Sequence, residues 1–420
     1  MGLAGYAAVF RSRKIALLLV LGFASGLPLA LTAGTLQAWL AAERVDIVAI
    51  GWFGLVGQPY IYKFLWAPVM DRYAPLASLG RRRGWLLLTQ VALAAAIAFM
   101  GTLSPRESTW LLGLTALAVA FLSASQDIVF DALRTDWLER EERGAGAAVS
   151  VLGYRLAMLV SGAGVLILAD QWTGWAGAYW LMAGLMALGM AAAWLVLEPE
   201  PAGGAPRSLE EAVARPFAEF FSRAGAIGLL VLIVLYKLGD AFAGNLTTTF
   251  LLTGPGFSLT EVGAINKGFG LAATIAGALA GGALMAKMRL YRALLLFGLL
   301  QALTNLGFML LAAAGKSYPL MVTVIGLENL CGGMGTAAYV ALLMALCDRR
   351  FSATQYALLS ALSAVGRVYV GPAAGYLVKG LGWEMFFLFT FVIALPGLVL
   401  LAWLRVRIDA LDLKPEMGAK

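Results

Sequence analysis

The sequence predicts an all-α membrane protein with twelve transmembrane helices arranged in two six-helix halves. The chain of 420 residues is 61% hydrophobic and only 13% charged, its mean hydropathy is +0.83, and long apolar runs recur from end to end. A soluble domain carries about 25% charged residues, whereas an apolar run of about 20 residues crosses the bilayer core as a helix. The composition therefore excludes a soluble globular protein.

Twelve apolar runs are long enough to be spans. They lie at roughly 15–40, 47–70, 85–102, 110–134, 145–169, 176–197, 226–252, 261–286, 293–314, 320–347, 356–379 and 384–404. With an even number of spans, both termini lie on the same side. The polar segments on that side hold 21 Lys and Arg residues, whereas the opposite loops hold only Arg44, Arg106 and Lys316. Because positive charge accumulates in cytoplasmic loops, we expect both termini to be cytoplasmic. The net charge of +7 is thus a topology signal, and no nucleic acid partner is expected.

The longest polar interval divides the chain. Residues 198–225 open with Pro, Gly and charged residues, which favours a linker, and the charge distribution makes this linker cytoplasmic. It separates an N-terminal six-helix bundle at 1–197 from a C-terminal six-helix bundle at 226–404, and a cytoplasmic tail follows at 405–420.

An internal repeat supports this division. Asp136 precedes Arg155 by 19 residues, and Asp348 precedes Arg367 by the same distance. Each pair brackets the end of one span, a charged turn and the start of a helix rich in small residues. Matching pairs within matching hydropathy patterns predict that the two halves arose by duplication, as in many transporters.

Besides Glu261, Lys379 and Glu384 at the very ends of spans, ten charged side chains lie within the predicted spans. They are Lys63, Asp127, Asp131, Arg134, Arg155, Lys237, Asp240, Lys267, Glu328 and Arg367. A charge facing lipid at a helix centre costs about 2.5–3.5 kcal/mol, so ten would cost on the order of 30 kcal/mol. That exceeds the net stability of a typical fold, about 5–15 kcal/mol. These side chains must therefore pair with one another or line a water-filled cavity.

The spacing of these charges supports both pairing and a water-filled cavity. Lys237 and Asp240 are three residues apart on a helix, as are Asp131 and Arg134, so each pair can neutralise itself. The other six charges have no local partner. Because both halves contribute to these six, we expect them to line one water-accessible site at the interface between the repeats.

Proton transfer in this chain would depend on carboxylates. The sequence contains no histidine and no GxxxxGK phosphate loop of an ATP-driven pump. A carboxylate that alternates between an apolar environment and a nearby cation changes its proton affinity, so it can carry a proton. The candidates for proton coupling are Asp127 and Asp131, followed by Glu328 and Asp240.

The sequence shows no sign of catalysis. No nucleophile, base and orienting group form a recognisable set, so we expect no enzymatic activity. The two cysteines, without histidine, do not form a metal-ligand set, and neither a metal nor a cofactor is expected.

Cationic, amide and aromatic side chains within the spans are candidates for substrate binding. They are Lys63, Gln126, Tyr154, Arg155, Tyr236, Lys237, Lys267, Asn329 and Arg367. Arg155 and Arg367 remain charged at any working pH and can bind a carboxylate or phosphate through two hydrogen bonds, which favours an anionic substrate. The tyrosines could stack on sugar faces, although aromatic side chains also serve packing and the membrane interface.

The first span allows two interpretations. Gly22, Gly26 and Pro28 could interrupt the helix, as in transporters whose broken helices expose backbone groups to a cavity. The alternative is that the small residues allow close packing against a neighbouring helix.

Two charged motifs resemble those of the major facilitator superfamily. The loop after the second span reads DRYAPLASLGRRRG, and an acidic residue precedes Arg by seven positions at the turn between the fourth and fifth spans. The resemblance implies a gating role at the cytoplasmic face. The residues at the matching positions are Asp71, Arg72, Arg81, Arg82, Asp136 and Arg143.

Longer strings resemble the AmpG family of muropeptide permeases of Gram-negative bacteria. They include GFASGLPLALTAGTLQAWL, GQPYIYKFLWAPVMDRY, the SASQD segment at 123–127 and YKLGDAF. The resemblance implies a proton-dependent importer in the inner membrane. It would carry GlcNAc-1,6-anhydroMurNAc and its peptide derivatives from periplasm to cytoplasm for peptidoglycan recycling, and would thereby support β-lactamase induction. We expect a monomer. The alternative substrate is another bulky anion, such as a CoA ester or a nucleotide-linked molecule.

Overall fold

A computed structural model of the chain describes residues 12–138, 143–197, 225–285, 287–346 and 352–412. Within these ranges the regular secondary structure is helical, apart from one isolated bridge between Leu76 and Gly80. Asp348, part of the predicted repeat, and the predicted linker up to residue 224 lie outside the described residues.

The described residues of the first half of the chain form ten α-helices. They are α1 (Arg13–Thr32), α2 (Gly34–Ala42), α3 (Ile47–Trp52), α4 (Gln58–Tyr62), α5 (Ala67–Arg72), α6 (Arg81–Met100), α7 (Thr109–Trp137), α8 (Arg143–Leu159), α9 (Val165–Gln171) and α10 (Gly174–Leu195). Short 3-10 turns connect α3 to α4 and α4 to α5. A π-helical turn, Val160–Gly164, joins α8 to α9, so these two helices form one span.

The second half begins after the linker. Its helices are α11 (Ala226–Tyr236), α12 (Leu238–Thr253), α13 (Leu259–Glu261), α14 (Gly270–Met285), α15 (Leu290–Ala314), α16 (Tyr318–Ala345), α17 (Ser352–Trp403) and α18 (Arg405–Asp412). A π-helical turn, Val262–Phe269, joins α13 to α14. Gly382 has a φ of 76° and divides α17 into two parts, because only glycine adopts this backbone conformation readily.

The helices account for the predicted spans with one difference. Ten helical segments of the described residues are long and apolar enough to cross a membrane. One of them, Leu359–Trp403, contains the break at Gly382 and covers the last two predicted spans. The predicted span at 47–70 is not one continuous helix but the series α3, α4 and α5. Its glycines and prolines explain this, because glycine weakens a helix and proline removes a backbone donor.

The chain divides into two compact units. Among the described residues, the first unit comprises 12–45 and 56–197, and the second unit comprises 46–55 and 225–412. The stretch 46–55 therefore groups with residues 225–412, although it lies within the range 1–197 predicted for the N-terminal bundle. Its helix α3 packs against α17 within the second unit.

Two features hold α3 against α17. Gly51 and Gly371 face each other so closely that a Cβ on either would collide with the other's backbone. At the start of α3, Asp46 caps the backbone of Val48 at 2.9 Å and forms an ion pair with Lys379 at 3.1 Å. The hydrogen bond from Lys379 lowers the pKa of the Asp46 carboxyl group, so this exposed contact weakens only in acid.

The first helix is continuous through Gly22, Gly26 and Pro28. The chain is instead interrupted at Ala33, where α1 ends and α2 begins. A Cβ on Gly26 would lie 2.6 Å from the backbone oxygen of Tyr154 in α8. The interpretation of a helix broken at these three residues is therefore wrong, and the close-packing interpretation is confirmed for both glycines.

Replacing Gly26 with Ala is expected to separate α1 from α8 and to destabilise the protein by about 1–3 kcal/mol, the usual cost of overpacking. The measurement is the thermal unfolding midpoint in detergent. The matched control is Gly184→Ala on α10, where a new Cβ meets nothing within 4 Å. Equal midpoints for the two variants would contradict the close approach of α1 and α8.

Candidate functional site

Asp127 is the centre of the polar region in the first unit. It lies on α7, and Ser25 Oγ on α1 donates a hydrogen bond of 2.5 Å to its Oδ1. Lys63 and Asp131 are both close enough to Asp127 to interact with it electrostatically. Its carboxyl group therefore accepts one hydrogen bond and lies within the electrostatic field of one cation and one further acid.

A cavity of about 120 Å³ opens beside Asp127. Its walls are formed by Ser25, Asp127, Phe130, Asp131, Arg134, Ser150, Val151 and Tyr154. It brings together three of the predicted site residues, Asp127, Asp131 and Tyr154. Asp127, Asp131 and Arg134, which lie on successive turns of α7, therefore face one cavity.

Asp131 differs from Asp127 in its surroundings. Its Oδ1 lies 3.1 Å from Arg134 Nη2, as their helical spacing predicts, and the side chain of Asp131 is 54% exposed. Asp127 is the more sheltered of the two proton-coupling candidates on α7.

Three other predicted residues of the first unit differ in burial. Gln126 is 1% exposed, and neither of its amide atoms has a hydrogen-bond partner among the described residues. Arg155 is exposed, and its Nη1 contacts Met158 Sδ at 3.7 Å. Lys63 lies in the 3-10 turn between α4 and α5 and is half-buried. Arg155 and Lys63 therefore keep cationic groups accessible to an anion.

The predicted cytoplasmic motif includes one buried ion pair. Arg82 Nε on α6 lies 3.0 Å from Asp136 Oδ2 near the end of α7, and the arginine side chain is only 7% exposed. This pair links α6 to α7. Arg81 is the first residue of α6. For the remaining members, Asp71, Arg72 and Arg143, the structure describes only the helical backbone.

In the second unit, Lys237 joins three helices. It lies at the break between α11 and α12. Its Nζ lies 3.2 Å from Asp240 Oδ2 and donates a hydrogen bond of 3.1 Å to Gln301 Oε1 on α15. The pair predicted from the spacing is thus present, and an amide from another helix extends it.

A second polar group surrounds Lys267 and Glu328. Lys267 Nζ donates to Thr248 Oγ1 at 2.8 Å. Glu328 Oε2 accepts from the side-chain amide of Asn329 at 2.8 Å, and Asn329 Oδ1 accepts from Thr274 at 2.9 Å. Each predicted residue here therefore has a polar partner on its own or a neighbouring helix.

The two groups form one electrostatic cluster. Glu328 interacts with Asp240, Lys237 and Lys267, so two acids and two bases from four segments of the second unit balance one another. Such balance lowers the cost of placing charge at bilayer depth. It also leaves each carboxylate sensitive to movement of the neighbouring cations.

Tyr236 and Arg367 have different environments. Tyr236 is buried, stacks on Tyr339 with ring centroids 5.6 Å apart, and donates to the backbone oxygen of Leu294 at 2.8 Å. This placement favours the packing interpretation for Tyr236. Arg367 is exposed, and its backbone oxygen accepts from Asn245. The guanidinium of Arg367, like that of Arg155, is accessible.

Some residues that contact the predicted ones are not themselves predicted site residues. Among them are Ser25, Thr248, Thr274 and Gln301. A glutamine within an apolar run, as in LLQALTNLG, is a usable signal because an unpaired amide in lipid is costly. Single hydroxyl residues give no such signal, since they satisfy themselves on their own helix backbone.

Comparison of the sequence with known proteins identifies the family of this chain. The family model described as Major Facilitator Superfamily matches residues 18–368 and 256–419. The anhydromuropeptide permease of Escherichia coli K12 is 57% identical over 404 residues, covering 96% of this chain and 82% of the relative.

Solved transporter structures share the fold at low sequence identity. A bacterial homologue of the human lysosomal transporter Spinster, solved inward-facing and unoccupied, has a TM-score of 0.69 and 17% identity, covering 97% of this chain and 98% of its own. A POT family transporter in complex with 5-aminolevulinic acid has a TM-score of 0.73 and 13% identity, covering 94% and 96% of the two chains.

The predicted fold class is therefore confirmed, and so is the expectation of a transporter rather than an enzyme. The chain belongs to the Major Facilitator Superfamily of membrane transporters and, within it, to the family of anhydromuropeptide permeases.

Proposed function

We propose that this protein imports anhydromuropeptides, GlcNAc-1,6-anhydroMurNAc and its peptide derivatives, from periplasm to cytoplasm by proton symport. The observation that carries the proposal is the 57% identity, over 96% of the chain, with a protein named anhydromuropeptide permease. The import would supply peptidoglycan recycling and so support β-lactamase induction. The protein would act as a monomer in the bacterial inner membrane with both termini in the cytoplasm.

The chemistry of the described residues supports an anionic, sugar-bearing substrate. Arg155, Arg367 and Lys63 retain accessible or half-buried cationic groups, and a peptide-bearing muramic acid derivative carries carboxylates that such groups bind. Tyr154 lines the cavity beside Asp127 and offers a ring face to a sugar. These side chains are the substrate-binding residues that we propose first.

Asp127 is the carboxylate that we propose as the proton carrier. It has no ion-pair partner within 4 Å among the described residues, whereas Asp131 is paired with Arg134 and Asp240 with Lys237. A carboxylate without a fixed cation can exist in either protonation state at modest cost. Glu328 is the second candidate, because its hydrogen-bond donor is a neutral amide.

Transport into proteoliposomes tests the proposal. The purified chain would be supplied with radiolabelled GlcNAc-1,6-anhydroMurNAc-tripeptide, with and without an inwardly directed proton gradient. We expect accumulation above the external concentration only with the gradient. If the labelled muropeptide is not taken up but a labelled CoA ester is, the substrate is the alternative bulky anion and not the muropeptide. Uptake that is insensitive to the gradient would exclude proton symport.

Replacing Arg155 with Lys is expected to raise the KM for the muropeptide about tenfold, with little change in the maximal rate. Lysine keeps the charge but cannot form the paired hydrogen bonds of a guanidinium, and one lost charged hydrogen bond costs about 1.5 kcal/mol. Initial rates of uptake give both constants. The control is Arg106→Lys, at an exposed loop arginine that pairs with Glu43. An unchanged KM in the Arg155 variant would remove this residue from the binding site.

A further inference from the structure

Trp66 joins the second predicted span to α7 through its indole group. Its Nε1–H donates a hydrogen bond of 3.0 Å to Ser125 Oγ. The indole ring also packs on Phe121, which lies one helical turn before Ser125, with ring centroids 4.8 Å apart. Neither Trp66 nor Ser125 has a part in the proposed transport mechanism, although their contact connects two segments that carry residues of the candidate site.

The acceptor of this hydrogen bond is itself held in place. Ser125 is 3% exposed, and its Oγ donates to the backbone oxygen of Phe121 at 2.8 Å. A serine in an apolar helix commonly bonds its own backbone in this way. The same oxygen accepts the bond from Trp66, so the hydroxyl both donates and accepts and its direction is fixed. Hydrogen bonds between helices also help to hold helices together in a membrane.

The other end of the contact is the turn that carries Lys63. The backbone N–H of Trp66 bonds to the carbonyl oxygen of Lys63 and closes the 3-10 turn Lys63–Leu65. The backbone oxygen of Trp66 accepts from Val69 N at 3.0 Å, in α5. Trp66 is therefore the joint between the turn and α5. Because the hydrogen bonds of a 3-10 turn have poorer geometry than those of an α-helix, the position of Lys63 depends on the contacts that its neighbours make.

The contact lies close to Asp127 on α7. Ser125 precedes Asp127 by two residues, and the turn Lys63–Leu65 packs against α7. The half-buried Lys63 also interacts with Asp127 electrostatically. The bond from Trp66 to Ser125 therefore fixes the turn on α7, and with it the position of the Lys63 backbone relative to the polar region around Asp127.

We propose that Trp66 and Ser125 are positioning residues that hold Lys63 in place on α7, where its ammonium group binds the anionic substrate. The inference rests on the proposed function, in which Lys63 is one of the substrate-binding cations. The indole and the hydroxyl do not contact the substrate and act only through the turn. A lysine side chain is flexible, so an anchored backbone reduces the number of positions that its ammonium group can take. Less conformational freedom is then lost when the ammonium group binds an anion.

The first test measures the environment of Lys63 and does not depend on transport. The full chain in nanodiscs is treated with methyl acetimidate, a small reagent that modifies lysine amines, and mass spectrometry gives the rate at each lysine. We expect the rate at Lys63 to rise at least threefold in Trp66→Phe and in Ser125→Ala, because each substitution removes one partner of the same bond. The control is Lys237, which is paired with Asp240 and should react at the wild-type rate in both variants. If the rate at Lys63 rises in neither variant, the inference is overturned.

The second test determines whether Trp66 acts through Lys63. In the wild-type background, Trp66→Phe should raise the KM for uptake of labelled muropeptide at least fivefold and change the maximal rate less than twofold. In a Lys63→Gln background the same substitution should change the KM less than twofold, because the group that Trp66 positions is already absent. The control is Trp180→Phe, which removes an indole donor bonded to Ala98 O at 3.1 Å and should leave the KM unchanged.

The outcomes distinguish this inference from the proposed function. An unchanged KM in Trp66→Phe, or an equal rise of the KM in the two backgrounds, would overturn the positioning role. If Trp66→Phe does not fold, Ser125→Ala gives the same comparison, because it removes the bond and keeps the indole ring. A wild-type chain that takes up no muropeptide, or an unchanged KM in Lys63→Gln alone, would instead refute the proposed function or the substrate-binding role that it gives to Lys63.

Discussion

Replacing Asp127 with Asn is expected to abolish proton-driven accumulation of muropeptide while largely sparing exchange. Asparagine has nearly the same shape, and its oxygen can still accept the hydrogen bond that Ser25 Oγ donates, but it cannot take up a proton. The measurement compares accumulation under an inward proton gradient with exchange of labelled for unlabelled substrate at equal pH. We expect the first to fall at least a hundredfold and the second by no more than a few fold.

A neighbouring acid provides the comparison for this variant. Asp131 is exposed and lies 3.1 Å from Arg134, so Asp131→Asn removes a carboxylate of the same cavity that is already paired with an arginine. We expect this variant to retain gradient-driven accumulation. If Asp127→Asn reduced exchange and accumulation equally, the residue would serve binding or structure. If Asp131→Asn abolished accumulation and Asp127→Asn did not, Asp131 would be the proton carrier in place of Asp127.

The fold was largely predictable from the sequence because one physical term dominates it. A span must satisfy its backbone hydrogen bonds internally and expose apolar side chains over about 30 Å of bilayer core. This requirement appears in the sequence as apolar runs of about 20 residues. What those runs could not reveal was the interruption of individual spans. The backbone of residues 47–72 alternates α and 3-10 turns, and the break in the first span falls at Ala33 instead of at Gly22, Gly26 or Pro28.

The glycines of the first helix show why the interruption was misplaced. A glycine can indicate a flexible backbone or a close helix contact, and the local sequence is the same in both cases. Only the partner helix distinguishes them. At Gly26 that partner is the backbone of Tyr154, which lies more than a hundred residues away in the chain, so no local pattern contains the information.

The candidate site was predictable to the extent that its contacts are local. The ion pairs of Asp131 with Arg134 and of Lys237 with Asp240 follow from a three-residue helical spacing, and both are present. The contacts between helices were not predictable, such as the hydrogen bond from Ser25 to Asp127. They depend on helix packing geometry, and a serine within an apolar span usually satisfies its hydroxyl on its own helix.

Breaking the Lys237–Asp240 pair is expected to destabilise the protein far more than removing both partners. The two side chains are only 17% and 20% exposed. Asp240→Ala would leave a half-buried ammonium with the neutral Gln301 oxygen as its remaining bonded partner, and removing one member of a buried pair costs about 3–5 kcal/mol. Replacing both, as Lys237→Met with Asp240→Leu, removes the desolvation penalty together with the attraction and should cost much less.

Thermal unfolding of Lys237→Met, Asp240→Leu and the double variant measures this coupling, because strictly additive costs would mean that the pair contributes nothing. The same double variant also separates structure from transport. If it folds and still accumulates muropeptide under a proton gradient, Asp240 is a structural partner of Lys237, and the candidates for proton coupling are reduced to Asp127, Asp131 and Glu328. If it folds and exchanges substrate but no longer accumulates it, the charge cluster of the second unit takes part in coupling, because the surroundings of Glu328 lose both an acid and a base at once.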